Sequence, residues 1–274
     1  MAQKILGIYS PSTTKDRLFL EISKDHIACW ILNNETGELL SFELFQLKPE
    51  KSFEESFKAV MQNSGLLAQY NAKEEVHVIW ENEFAEILPQ TYLESCSDNI
   101  IKMMMPYQSN DTKIQHYETN GFSVLYQVDQ SISETIHNVF PNYKSVHKYG
   151  AISKVLINSI AKPELVLHLL CFQKHSILTA VQDGQLLFIK RIKFLSPLDA
   201  VYHVVNAANQ YGKNMDDVTV VLSGMVENNS SLFDAIYKYI PHIEIDSVTK
   251  NLFDTEKFSD YPEHFFVPFF KYAI

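Results

Sequence analysis

Apolar runs separated by short polar breaks recur along the chain in a fixed order, and the clearest instance lies between Glu164 and Gly224. Leu165 to Phe172 and Ser176 to Gln182 are apolar enough for buried strands, and Asp183-Gly184 is a hairpin turn into a third, Leu186 to Phe194. A helix is predicted from Ser196 to Tyr211. Its start, Ser196-Pro197-Leu198-Asp199, supplies an N-cap, a proline of fixed φ and a carboxylate for the helix dipole, and Gly212 supplies the stop. Leu198, Val201, Tyr202, Val205 and Ala208 are expected on its inner face. Val218 to Leu222 then reads as a strand closing on Ser223-Gly224.

The same order occurs earlier. Leu18 to Ile22, His26 to Leu32 and Leu39 to Gln46 are three strands, the last two joined by a turn at Asn33 to Gly37. Ser52, with Glu55 three residues on, opens a helix that carries Phe53, Phe57, Val60 and Met61 on one face, and Val76 to Trp80 is the fourth strand. Gly37 and Gly184, like Ser52 and Ser196, recur at nearly constant separation, which marks an internal duplication. The halves are expected at 1–160 and 163–274, joined by a helix at about 150–162 with Ile152, Val155, Leu156 and Ile160 on one side, stopped by Pro163.

Around these repeats, Met1 to Lys15 reads as a lead-in or short extra strand, and Leu93 to Asn120 as irregular, with Met103-Met104-Met105 as filler under a loop. Gly121 to Val128, Asn142 to His147 and His242 to Val248 are further strands, and Ser131 to Phe140 and Ser231 to Ile240 further helices. The closing aromatics Phe265, Phe266, Phe269, Phe270 and Tyr272 are too apolar for water and are expected to pack back on the first half.

Composition narrows the function. At 274 residues with 46% hydrophobic content, the chain falls where one core usually divides into two. A net charge of −10 repels a phosphate backbone. The one basic run, Lys190, Arg191 and Lys193, falls on a predicted third strand, where charge blocks unwanted edge pairing, so no nucleic acid partner is expected. The scattered Cys29, Cys96 and Cys171 fit a reducing compartment, and no apolar stretch approaches the roughly 18 residues of a membrane span. A cytoplasmic protein without membrane insertion is expected. Ten histidines form no metal-ligand pair on a helix face, and there is no Gly-x-Ser-x-Gly elbow, Walker loop or Gly-x-Gly-x-x-Gly. No catalytic residue and no metal ligand is assigned.

Five short stretches, in order, carry a resemblance: Phe84-Ala85-Glu86-Ile87-Leu88-Pro89, Val139-Phe140-Pro141, Asp183-Gly184-Gln185-Leu186-Leu187-Phe188, Leu222-Ser223-Gly224 and His264-Phe265-Phe266. With the paired halves, they make the chain similar to the actin-like ATPase superfamily, which includes sugar kinases, Hsp70 and the pilus-assembly protein PilM. More closely, the chain resembles a family of uncharacterised bacterial proteins with that fold, known as a domain of unknown function. The resemblance implies an α/β protein with a duplicated βββαβα actin-like ATPase (ribonuclease H-like) fold, its two halves built on mixed five-stranded sheets.

It also implies a site. In that superfamily each half carries Asp-x-Gly between its first two strands, where glycine lets backbone N–H groups approach phosphate and the carboxylate positions magnesium-bound waters. Here the first turn, Glu21-Ile22-Ser23-Lys24-Asp25, has carboxylates but no glycine, and the second, Cys171-Phe172-Gln173-Lys174-His175, has neither. Ser223-Gly224-Met225 stands where the superfamily has the paired glycine of its adenosine loop. The reading is therefore a non-catalytic actin-like module without cofactor, acting by binding a protein partner or itself. The alternative is a diverged ATP-binding protein or kinase, with Glu21, Ser23 and Asp25 on the phosphate and magnesium side and Ser223, Gly224 and Met225 at the base.

Overall fold

The structure is a computed structural model that describes residues 2–13, 15–69, 76–95, 103, 111–117, 120–159, 162–227, 230–248, 252, 257–258 and 260–272. It divides into two units, Met1–Ala151 with Asn251–Lys257, and Ile152–Lys250 with Phe258–Tyr272.

In the first unit, β1 (Gln3–Ile8), β2 (Arg17–Ser23), β3 (His26–Leu32), β4 (Leu39–Gln46), β5 (Val76–Glu81) and β9 (Lys144–His147) form one sheet in the order β1-β4-β3-β2-β5-β9. β2 and β9 flank β5 in parallel, and the remaining neighbours are antiparallel. An aromatic row crosses four strands in register: Phe42 on β4, Trp30 on β3, Phe19 on β2 and His77 on β5, with successive centroids 6.4, 5.5 and 4.8 Å apart. Such cross-strand pairs fix register because a one-residue slip would turn them to the other face. Helix α1 (Phe53–Asn63) is the crossover into β5; Ser52 Oγ accepts the Glu55 N–H at 3.2 Å, and Phe57 and Val60 are buried.

Five of these strands are the expected five. β1 is the sixth: it adds beyond β4, anchored by the buried carboxylate of Glu43, which accepts from Lys4 Nζ at 2.7 Å, Tyr9 Oη at 2.5 Å, the Gly65 N–H at 2.9 Å and Ser64 Oγ. Burial pushes the Glu43 pKa up, but those donors outweigh it and hold it below the ordinary carboxylate value.

A separate sheet, β6 (Ala85–Pro89), β8 (Phe122–Val128) and β7 (Asp111–Tyr117), is antiparallel throughout. β7 corrects the expectation of an irregular segment. It escaped the pattern because Thr112, Ile114 and His116 are exposed and Lys113, Gln115 and Tyr117 only half-buried, so no apolar face stands out. Of the methionine run, Met103 is exposed, and Met104 and Met105 lie outside the described residues. In chain order α2 (Gln90–Ser95) follows β6, α3 (Gln130–Val139) follows β8, and α4 (Lys148–Ile157) starts directly from β9.

The second unit repeats the plan. β10 (Leu165–Cys171), β11 (Ser176–Gln182), β12 (Gln185–Ile192), β13 (Val218–Gly224) and β14 (His242–Ile245) lie in the order β12-β11-β10-β13-β14, with the strand directions of β4-β3-β2-β5-β9. Asp183 (φ 51°) and Gly184 (φ 71°) make the left-handed hairpin turn the sequence requires. Helix α5 (Pro197–Gln210) buries Ala200, Val201, Val204, Ala207 and Ala208, whereas Leu198 and Tyr202, expected inside, are exposed. At about 100° per residue, Tyr202 lies about 160° round the helix from Val204, so one stripe cannot bury both. α6 (Ser231–Tyr237) packs beside α5.

The tail also differs from expectation, since residues 258–272 belong to the second unit. His264 Nε2 lies 2.6 Å from the Val226 carbonyl, Phe269 meets Phe172 edge-on at 5.8 Å, and Lys271 Nζ contacts Asp246 Oδ1 at 2.7 Å. The short helix α7 (Val267–Phe270) rests on β13, because the ends of β10 and β13 offer apolar surface that needs a cover.

Candidate functional site

Parallel strands carry side chains past their carboxyl ends, where open α/β sheets place ligands. In the first unit β2 and β5 end side by side, Ser23 opposite Glu81, and β9 ends with His147 opposite Trp80. Glu21 is two residues from Ser23 and shares its face. The turn from β2 to β3 is only Lys24-Asp25.

Apart from the turn residues Lys24 and Asp25, the polar side chains here are buried. Lys148, the first residue of α4, donates through Nζ to Glu21 Oε2 at 2.5 Å, and His26 Nε2 lies 3.0 Å from Glu21 Oε1. Neither the Glu21 nor the Lys148 side chain has any exposed surface. Ser23 Oγ donates to Glu81 Oε2 at 2.5 Å, and the half-buried Asp25 sends its N–H toward Ser23 Oγ at 3.5 Å while its carbonyl accepts from the Leu47 N–H at 2.9 Å. His147 is enclosed by the Tyr126 and Tyr149 rings and accepts the Tyr149 N–H at Nδ1, 3.1 Å. Burial drives its pKa down to about 3 against the opposing pull of Glu81, so the imidazole is neutral.

A magnesium ion positioned by Glu21 needs a carboxylate oxygen with room for the ion's water shell. Glu21 has neither: one oxygen faces an ammonium, the other an imidazole, and both are sealed from water. The residues do not fit the ion. Among the described residues, no group of three or more His, Cys, Asp or Glu could hold a metal.

In the second unit the expected residues also lie together. Ser223 and Gly224 end β13, Gly224 opposite Cys171, and the Met225 N–H donates to the Cys171 carbonyl at 2.8 Å. Gly224 has φ +84°, and a Cβ there would lie 2.1 Å from the Cys171 oxygen and 3.0 Å from Pro268 Cγ. Backbone packing under the tail therefore accounts for this glycine. At the equivalent hairpin, Phe172 and His175 stack at 4.7 Å, and Arg191 Nη2 lies 3.1 Å from His175 Nδ1.

Sequence reasoning thus gathered Glu21, Ser23 and Asp25 in one unit and Ser223, Gly224 and Met225 in the other, and missed Lys148, His26 and Glu81. Lys148 sits between a strand expected to end at His147 and a helix expected to start at Gly150, where a lysine reads as solvated. Its partner is 127 residues away, beyond any local pattern.

Two sheets with one strand order, each with its crossover helix, define the actin-like ATPase fold, and solved structures of that kind match. A Bacteroides thetaiotaomicron protein with an actin-like ATPase fold and unknown function is 13% identical, with a TM-score of 0.73 over 91% of this chain and 97% of that one. The PilM–PilN type IV pilus biogenesis complex contains a chain 11% identical, with a TM-score of 0.65 over 96% of this chain and 97% of that one. The ethanolamine utilization protein EutJ from Carboxydothermus hydrogenoformans is 7% identical, with a TM-score of 0.53 over 97% and 91%. Residues 10–243 match the model of DUF3822, a protein family of unknown function, and the chain belongs to that family. No curated protein sequence matches it significantly. Among the described residues, no helix is long and apolar enough to cross a membrane.

Proposed function

We propose that this chain is a non-catalytic actin-like module that acts by binding a protein partner or a second copy of itself. The observation that carries this reading is the fate of Glu21, the carboxylate on the last turn-facing stretch of β2: it is buried and held by Lys148 and His26. A turn of Lys24-Asp25 also lacks the glycine that lets backbone N–H groups close on a phosphate. Support for a binding role comes from the similar fold in the PilM–PilN complex, an analogy of fold rather than of site. Leu195, Leu198 and Tyr202 moreover leave apolar surface in water.

Calorimetric titration of the whole chain with Mg-ATP tests the reading. No heat of binding at micromolar nucleotide and no release of phosphate are expected. Micromolar binding followed by turnover would replace the proposal with the alternative of a diverged ATP-binding protein or kinase.

A further inference from the structure

A carboxylate taken out of water must either lose its charge or meet an opposite one. At the carboxyl end of the first sheet, Glu21 meets that charge from inside the chain: Lys148 Nζ stands 2.5 Å from Oε2, with both side chains wholly enclosed. This differs in kind from a second lysine–glutamate contact in the same unit, where Lys4 reaches Glu43 at 2.7 Å but keeps 30% of its side chain exposed. Lys4 can leave its partner for water. Lys148 has no such route. Around the pair, His26 occupies the second Glu21 oxygen, so β2, the start of β3 and the start of α4 are tied through one charge, while Ser23 separately joins β2 to Glu81 at the end of β5.

We infer that Lys148 is a resident cation that replaces a dissociable metal ion beside Glu21. A magnesium ion comes and goes with its nucleotide, so a site built around one can switch. An ammonium on the chain cannot dissociate, so this end of the sheet keeps a single state whatever the metal or nucleotide concentration. The module is constitutive, and its binding of a partner does not answer to nucleotide. The inference stands on the ion pair; its statement about partner binding rests on the proposed function and adds to it that this binding is not switched.

The test reads metal without nucleotide. Melting temperatures of the wild-type chain, Lys148→Ala and the double variant Glu21→Gln/Lys148→Ala are measured in EDTA and in millimolar MnCl2 or MgCl2. The wild type is expected to shift by no more than about 1 °C on adding metal, and Lys148→Ala to melt about 10 °C lower in EDTA. The single variant should regain much of that loss with metal, the vacated ammonium position now taking the ion beside Glu21, and the double variant should regain none. A wild type stabilised by the metal overturns the inference, as does a single variant no more metal-responsive than the wild type. Should Lys148→Ala yield no folded protein, acetic anhydride labelling of the wild type decides. Lys148 is expected to stay unmodified until urea is added, and acetylation of its amine in the native chain would sink the idea.

Discussion

The two halves share a scaffold and differ at the same point of it. Counted back from the ends of the paired parallel strands, Glu21 matches Leu169, Ser23 matches Cys171 and Glu81 matches Gly224. Two residues past Val146 stands Lys148, and two past its equivalent Ile245 stands Ser247. One sheet end is therefore filled by a buried charged cluster. The other has no charge at the matching β10 and β13 positions and is covered by the tail through Pro268, Phe269 and His264, with Lys271 reaching Asp246 just past β14. The shared architecture tolerates either filling, because the strand ladders and crossover helices fix the shape and the strand ends only have to be satisfied.

The comparison breaks most sharply at glycine. Gly224→Ala puts a Cβ 2.1 Å from the Cys171 carbonyl oxygen of β10 at φ +84°, so the paired ends of β13 and β10 must part, and a loss of about 3 kcal/mol or more is expected by urea denaturation. Gly121→Ala in the first half, also left-handed at φ +68° but with nothing within 4 Å of the new methyl, should cost only about 1 kcal/mol. Equal losses would mean that the ends of β10 and β13 do not approach each other this closely.

How much of this was legible follows from what each residue depends on. The repeated strands and the helices at Ser52 and Ser196 were readable because apolar period, caps and turn glycines act within a few residues. β7 was not, since its exposed face and its half-buried face both mix polar and apolar residues, so the sequence shows no alternation. The inner face of α5 was drawn one stripe too wide, because Leu198 and Tyr202 look like core residues until a single 100° step geometry must place Val204 among them. Lys148 was beyond reach for a different reason: the low dielectric that makes it a partner of Glu21 exists only once β2 and the start of α4 are in place.

The halves should also differ in acid. Burial lowers His147 in the first half to about 3 and His168 in the second to about 4, both from 6.5. The unfolded chain then binds protons that the folded chain refuses. Stability is complete above about pH 6.5 and falls by up to about 1.4 kcal/mol per pH unit for each histidine as pH drops toward the folded values. Urea midpoints should decline steadily from pH 7 to 4, and His147→Asn should flatten part of that slope. An unchanged slope in that variant would mean that His147 is already charged in the native chain.

The smallest effect separates the two faces of α5, and with them the packing of the second half from its surface. Val204 is fully buried in the core with Leu167, Leu169 and Val220, so Val204→Ala should cost about 2 kcal/mol through lost burial and the cavity left behind. Leu198 and Tyr202 are 62% and 65% exposed, and Leu198→Ser or Tyr202→Ser should change the unfolding free energy by no more than about 0.5 kcal/mol. The contrast depends on the rotation of one helix about its axis. If Leu198→Ser proved as costly as Val204→Ala, the helix would present the face its apolar pattern first suggested, and the exposed leucine and tyrosine would be part of the core.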